Sequence, residues 1–238
     1  MNTRAEILAP VLTGISGAER FIAARPASES QTAPFADEQI SSLVRRLFVP
    51  GWPRPARQVV FSPIDRSHDI NDICQQVAER LCSGIAGHVC IVNADLRLLQ
   101  KRTNGGTAEI QNIFLKSPGN LRKSSRQLSE RLWSMSAEVF AGGQEAAAAP
   151  AWLRERLAHL RIEFEFVLLQ APPAEESSDV ALLGAMSEGV VLVVRANRTR
   201  RRTAQYIRQV LQTANARLLG TVLTDRVFPI PEGIYRRL

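Results

Sequence analysis

Lysine is nearly missing from this 238-residue chain; Lys101, Lys116 and Lys123 are the only three. The other 27 of its 30 basic residues are arginines, set against 23 acids, for a net charge of +7. That balance suits nucleic acid, an acidic membrane face or an acidic partner, without choosing among them. Cysteine is scarce as well. Cys74, Cys82 and Cys90 are odd in number and contain no C-x-x-C pair. This excludes a disulfide framework, disfavours a metal site and leaves buried structural thiols in a reducing compartment. No apolar run reaches the roughly 18 residues of a membrane span. The apolar stretch 7–12 is a poor secretory signal, so a bacterial-type cytosol is the expected location. No internal repeat is visible.

What remains is ordinary for a globular protein, with 45% hydrophobic and 22% charged residues. A chain of this length buries a sizeable core without disulfides or metals. Residues 1–36 read as a disordered N-terminal arm, because 24–36 is rich in Ala, Pro, Ser, Thr and Gln and has no sustained period. A helix is predicted over 37–48, with Asp37 as its cap and Ile40, Leu43, Val44 and Leu47 on one stripe. Pro50, Pro53 and Pro55 then break the chain.

From Gln58 onward, short apolar runs alternate with helical segments. The runs 58–61, 89–92, 166–169, 190–194 and 218–223 are nearly continuous in Val, Ile, Leu and Phe, as strands buried on both faces are. Segment 132–135 is a weaker sixth candidate. Amphipathic helices are predicted over 70–81, 152–160, 180–186 and 203–214. The fold class is therefore α/β, a doubly wound and mainly parallel sheet flanked by helices, spanning 37–228, with 229–238 as a tail. Ligands of such sheets sit at the carboxyl ends of the strands, which selects the loops 62–69, 93–106 and 170–178.

Five segments carry a resemblance. They are 58–78, then Cys-Ile-Val-Asn-Ala-Asp-Leu-Arg at 90–97, Phe-Val-Leu-Leu-Gln-Ala-Pro-Pro at 166–173, Gly-Val-Val-Leu-Val-Val-Arg-Ala at 189–196, and Leu-Gly-Thr-Val-Leu at 219–223. In order and spacing they resemble the bacterial tyrosine kinases of capsule and exopolysaccharide synthesis. That family belongs to the deviant-Walker P-loop ATPases related to MinD and ParA. The resemblance covers roughly residues 37–225 and implies a P-loop NTPase-like fold.

The departures from the family pattern matter more. Its first loop reads G-x-G-K-[ST], where glycines let backbone N–H groups close on phosphates and the lysine adds a positive charge. Those five positions fall on Ser67, His68, Asp69, Ile70 and Asn71, with no glycine, Ile70 for the lysine and Asn71 for the hydroxyl. Asp65, Asp69 and Asp72 crowd the place a phosphate would take, where an acid also caps the helix. The family's D-x-D becomes Asn93-Ala94-Asp95, and the acid that ends its third motif becomes Gln170. Magnesium needs carboxylate charge, and phosphoryl transfer needs metal, lysine and acids together. The resemblance thus implies a degenerate site in which Asp95 is the one candidate metal ligand or catalytic acid. No cofactor is expected, beyond weak ATP and magnesium binding.

The cluster Arg195, Arg198, Arg200, Arg201 and Arg202 reads either as a solvated face or as an anion, membrane or partner surface. Arg122, Lys123 and Arg126 are expected in a mobile loop. His68 could act as a base but has no identifiable nucleophile partner, and a capping or surface role is favoured. His88 and His159 read as structural. Tyr235 is either an apolar anchor or a phosphosite, a single tyrosine where the family has a cluster. Glu38, Arg45 and Arg46 are weakly similar to the family's oligomerising helix, with different spacing.

The expected function is a non-catalytic, kinase-like accessory or regulatory protein of capsule or exopolysaccharide synthesis or export. Its partners would be itself, an intact kinase paralogue or the cytosolic part of a membrane chain-length regulator, which would hold it at the inner membrane. One alternative is an active autokinase or ATPase, with Asp95 on the metal and Arg66 or Arg97 replacing the lysine. A second is a ParA-like nucleic-acid binder. No helix-turn-helix signature or aromatic-rich strand supports nucleic acid as the partner.

Overall fold

Four apolar runs are buried along most of their length because each is a strand with helices on both sides. They are β2 (Gln58–Pro63), β3 (Val89–Asn93), β6 (Phe166–Gln170) and β7 (Gly189–Arg195). The computed structural model describes residues 5–8, 32–49, 55–66, 69–84, 87–95, 97, 121–141 and 150–225. The remaining strands are β1 (Ala5–Leu8), β4 (Arg126–Ser129), β5 (Leu132–Met135) and β8 (Leu218–Thr224). Together they form one sheet of order β1-β8-β7-β2-β6-β3-β5-β4. The six inner strands run parallel, while β1 and β4 close the two edges antiparallel.

The period of two along each inner strand divides the core into two layers. Val60, Cys90, Val92, Val167, Leu169, Val190 and Leu192 face one layer. It is covered by α4 (Ala137–Ala141), α5 (Pro150–Glu163), α6 (Asp179–Met186) and α7 (Arg201–Thr213). Val59, Phe61, Val89, Ile91, Phe166, Leu168, Val191 and Val193 face the other. There they meet α1 (Thr32–Phe48) and α2 (Asn71–Gly84). The sheet is therefore doubly wound and mainly parallel, as the sequence indicates.

Three expectations change. The N-terminal segment read as a disordered arm contributes β1, whose Ala5 to Leu8 pair with Thr224 to Thr221 and cover an edge of β8 that would otherwise lie open. Helix α1 begins at Thr32, five residues before the proposed Asp37 cap. Pro34 does not prevent this, since the first N–H groups of a helix have no intrahelical partner to lose.

The supposed mobile loop around Arg122 is anchored. Leu121–Ser124 is a short helix, α3, whose Leu121 and Arg122 N–H groups donate to the Glu163 carboxylate at 3.1 and 2.6 Å. The Arg122 guanidinium lies 4.2 Å from the centre of the Trp133 ring and contacts His88 Nε2 at 3.1 Å. Arg126 belongs to β4, an edge strand with all four residues exposed and hence no apolar signature.

The order of connections reverses at β2. The chain leaves β2 towards β3 on one side, and from β6 crosses to β7 on the other. The crevice at the carboxyl ends of β2 and β7 is where ligands of such sheets bind.

Candidate functional site

Four loops leave the carboxyl ends of β2, β3, β6 and β7 and meet above the sheet. The β6 loop is laid against the β2 loop by backbone hydrogen bonds. Ala171 N–H donates to Phe61 O at 2.8 Å, Ala174 N–H to Pro63 O at 2.9 Å, and Glu175 N–H to Ile64 O at 3.1 Å. The buried Ser62 hydroxyl adds a 2.7 Å bond to Pro172 O.

At the lysine position of the resemblance stands Ile70, only 6% exposed and packed with Ile73, Cys74 and Val77. A side chain committed to the core does not reach a phosphate. Asn71 opens α2, and its N–H donates to Asp69 Oδ1 at 2.9 Å. A carboxylate thus already occupies the positive end of the helix. Ser67 and His68 lie outside the described residues, as does Tyr235.

Asn93 and Gln170 are register partners at the ends of β3 and β6, and neither offers an acid. The Asn93 side-chain oxygen accepts from Asp95 N–H at 3.0 Å, shaping the turn. Burial pushes the Cys74 thiol up to about 12, an effect the Gln170 side chain only partly offsets. Burial likewise raises Cys90 above its ordinary range, and more mildly Cys82. Among the described residues no group of three or more His, Cys, Asp or Glu could hold a metal ion.

Asp95 is engaged within the chain. Its Oδ1 accepts from Arg97 Nε at 2.9 Å and from Arg97 N–H at 3.1 Å, and its Oδ2 accepts from Arg97 Nη2 at 2.8 Å. The other arm of Arg97 donates to Glu176 Oε2 at 2.7 Å, and Arg66 pairs with the second Glu176 oxygen. An alternating chain of charges, Asp95–Arg97–Glu176–Arg66, therefore joins the β3, β6 and β2 loops. Partial burial favours the neutral Glu176 carboxyl, but the bonds from Arg66 and Arg97 outweigh this and hold it below its usual range. Hydrogen bonding to Asp95 is the main cause that raises Arg97 above an ordinary guanidinium. Sequence reasoning named Arg97 and Arg66 as lysine substitutes and missed Glu176; the only signal was a pair of acids shortly after Pro172-Pro173.

The arginine cluster divides. Arg195 pairs with Asp225, so it is withdrawn from the expected anion surface because its charge is matched inside the fold. Arg198, Arg200, Arg201 and Arg202 are exposed. Thr199 pins this loop, accepting from Arg195 N–H at 3.0 Å and donating to Asp65 Oδ2 at 3.0 Å. Between the β2 and β7 loops lies an open groove of about 440 Å³, lined by Ile64, Asp65, Arg66, Glu175, Arg198, Thr199, Arg200 and Thr203.

At the opposite end of the sheet, His88 stacks edge-on against Trp133 with ring centres 5.0 Å apart. Burial, then Arg122 and Arg131, lower its pKa, which fits the structural role read from sequence. His159 sits on α5.

No protein-family model matches the chain. A 75-residue stretch is 25% identical to the tyrosine-protein kinase YwqD of Bacillus subtilis, covering 32% of each chain. The match thus spans about a third of that relative's length. The kinase domain of Escherichia coli tyrosine kinase ETK superposes with a TM-score of 0.60 at 15% identity, over 94% of this chain and 93% of that one. The MinD cell division protein of Aquifex aeolicus gives 0.51 at 13%, over 76% and 73%. The chain is similar to bacterial tyrosine kinase domains and has the fold they share with MinD. No helix among the described residues is long and apolar enough to cross a membrane.

Proposed function

We propose that this protein is a non-catalytic, tyrosine-kinase-like accessory or regulatory protein of capsule or exopolysaccharide synthesis or export. The observation that carries this reading is the two-point grip of Arg97 on Asp95, with Glu176 on its other arm. The one acid left at the family's metal motif already has a cation, and that cation belongs to the chain itself. Phosphoryl transfer needs free carboxylates for magnesium and a free cation for the phosphates. Here the two neutralise each other. Ile70 in the core and Asp69 on the α2 amino end support the same conclusion.

The rigid, self-neutralised domain serves as a binding scaffold for a second copy, an intact kinase paralogue or the cytosolic part of a membrane chain-length regulator. Such a partner would place it at the inner membrane. The alternative of an unconventional kinase requires Arg97 to leave both Asp95 and Glu176 before either side could bind ligand. Purified protein incubated with Mg-ATP should show neither phosphotyrosine nor ATP turnover above a matched blank. Turnover that disappears in Asp95→Ala would overturn the reading.

A further inference from the structure

The groove between the β2 and β7 loops sits at the reversal of strand order, next to the loops closed by the Asp95–Arg97–Glu176–Arg66 chain. The two regions differ in charge state. In the ion chain every guanidinium has a carboxylate. In the groove, Arg198 and Arg200 make no ion pair with any described residue, and neither do Arg201 and Arg202 that follow. Of the two acids on the groove wall, Asp65 accepts from the Thr199 hydroxyl, and Glu175 is tied to Ile64 O through its backbone N–H.

Four guanidinium groups within five residues repel one another, and at the amino end of α7 they also oppose the helix dipole. Such a cluster attracts an anion of several charges more strongly than a singly charged one. The size agrees. About 440 Å³ falls within the range of small-ligand sites, roughly 300–1,000 Å³, and exceeds what one orthophosphate fills. Guanidinium forks match phosphate oxygens in pairs. The Thr203 hydroxyl, half-buried on the same wall, is a further donor.

We propose that this groove is a metal-independent site for a small polyphosphate anion, held by Arg198 and Arg200 with Thr203. The arginines supply the charge that magnesium supplies elsewhere, because Asp95 and Glu176 are committed to Arg97. In that respect alone the proposal rests on the non-catalytic reading above.

Calorimetry on the 238-residue chain in EDTA, with sodium tripolyphosphate and then ATP, tests it. Tripolyphosphate should bind one to one. R198Q/R200Q should weaken binding by about a hundredfold, near tenfold for each charge-assisted contact. R154Q/R217Q removes the same net charge from exposed sites elsewhere and should leave affinity unchanged. Both pairs should melt with the parent. ATP binding tighter than tripolyphosphate would identify a nucleotide as the source of the phosphates and supports the site equally. No binding of either anion, or equal loss in both double variants, would overturn the proposal. Because no metal is present, that failure is separate from the Mg-ATP test of catalysis.

Discussion

Arg97 holds both oxygens of Asp95, Nε on Oδ1 at 2.9 Å and Nη2 on Oδ2 at 2.8 Å, while its third nitrogen reaches Glu176 at 2.7 Å. One side chain therefore ties the β3 loop to the β6 loop. A hydrogen bond to a charged group contributes about 1.5–3 kcal/mol when buried. Partial exposure screens this, and Arg97→Ala should lower unfolding free energy by about 1–2 kcal/mol, read from urea midpoints. It should not create Mg-ATP turnover, because Ile70 and Asp69 still stand at the amino end of α2; a turnover assay against a matched blank checks this.

The same chain of charges makes stability fall in acid. Glu176 is held below its usual carboxyl range in the fold. A group with a depressed folded pKa contributes stability above its unfolded value, about 4.3, and loses it as pH falls through the lower folded value. Glu176→Gln should flatten that part of the stability profile below about pH 4.3 and leave the alkaline side unchanged. Urea titrations at a series of acidic pH values measure the slope; equal slopes in both proteins would contradict the assignment.

Placing a lysine at position 70 should harm the fold and not create Mg-ATP turnover. Ile70 is 6% exposed and surrounded by Ile73, Cys74 and Val77. An ammonium placed there is desolvated without a partner, so Ile70→Lys should destabilise by about 3 kcal/mol or more. Thermal melting reads the loss, and Mg-ATP turnover should stay at the level of a matched blank.

Gly184 on α6 tests the packing of that helix on β7. A Cβ there would stand 2.4 Å from Val190 Cγ2 and 3.0 Å from Ala216 Cβ, both deeply buried. Alanine improves helix propensity by about 1 kcal/mol. Overpacking costs about 1–3 kcal/mol and wins, because Val190 has no room to yield. Gly184→Ala should therefore lower the melting temperature despite its better propensity.

The inner sheet was legible in the sequence because β2, β3, β6 and β7 are covered on both faces, which forces continuous apolar runs. The edges were not. Arg-Gln-Leu-Ser at β4 exposes every residue, and Ala-Glu-Ile-Leu at β1 has too little length to set a period. That Ile70, Asn93 and Gln170 differ from the motif of the resemblance could be read residue by residue. The ion chain beside them could not. Arg97 and Glu176 lie 79 positions apart and Arg66 and Glu176 110 apart, and only the folded sheet puts their loops together. The arginine cluster looked uniform in sequence, yet Arg195 leaves it through Asp225, a contact made by the pairing of β7 with β8.

The pairing of β1 with β8 has a consequence for synthesis. The first described strand to leave the ribosome hydrogen-bonds to the last. Ala5–Leu8 must wait, unpaired, while the parallel centre and its crossover helices are made, and contacts so distant in sequence form late. The β1 edge should therefore be sealed only after translation of β8. Until then Ala5–Leu8 is a strand of the nascent chain without its partner.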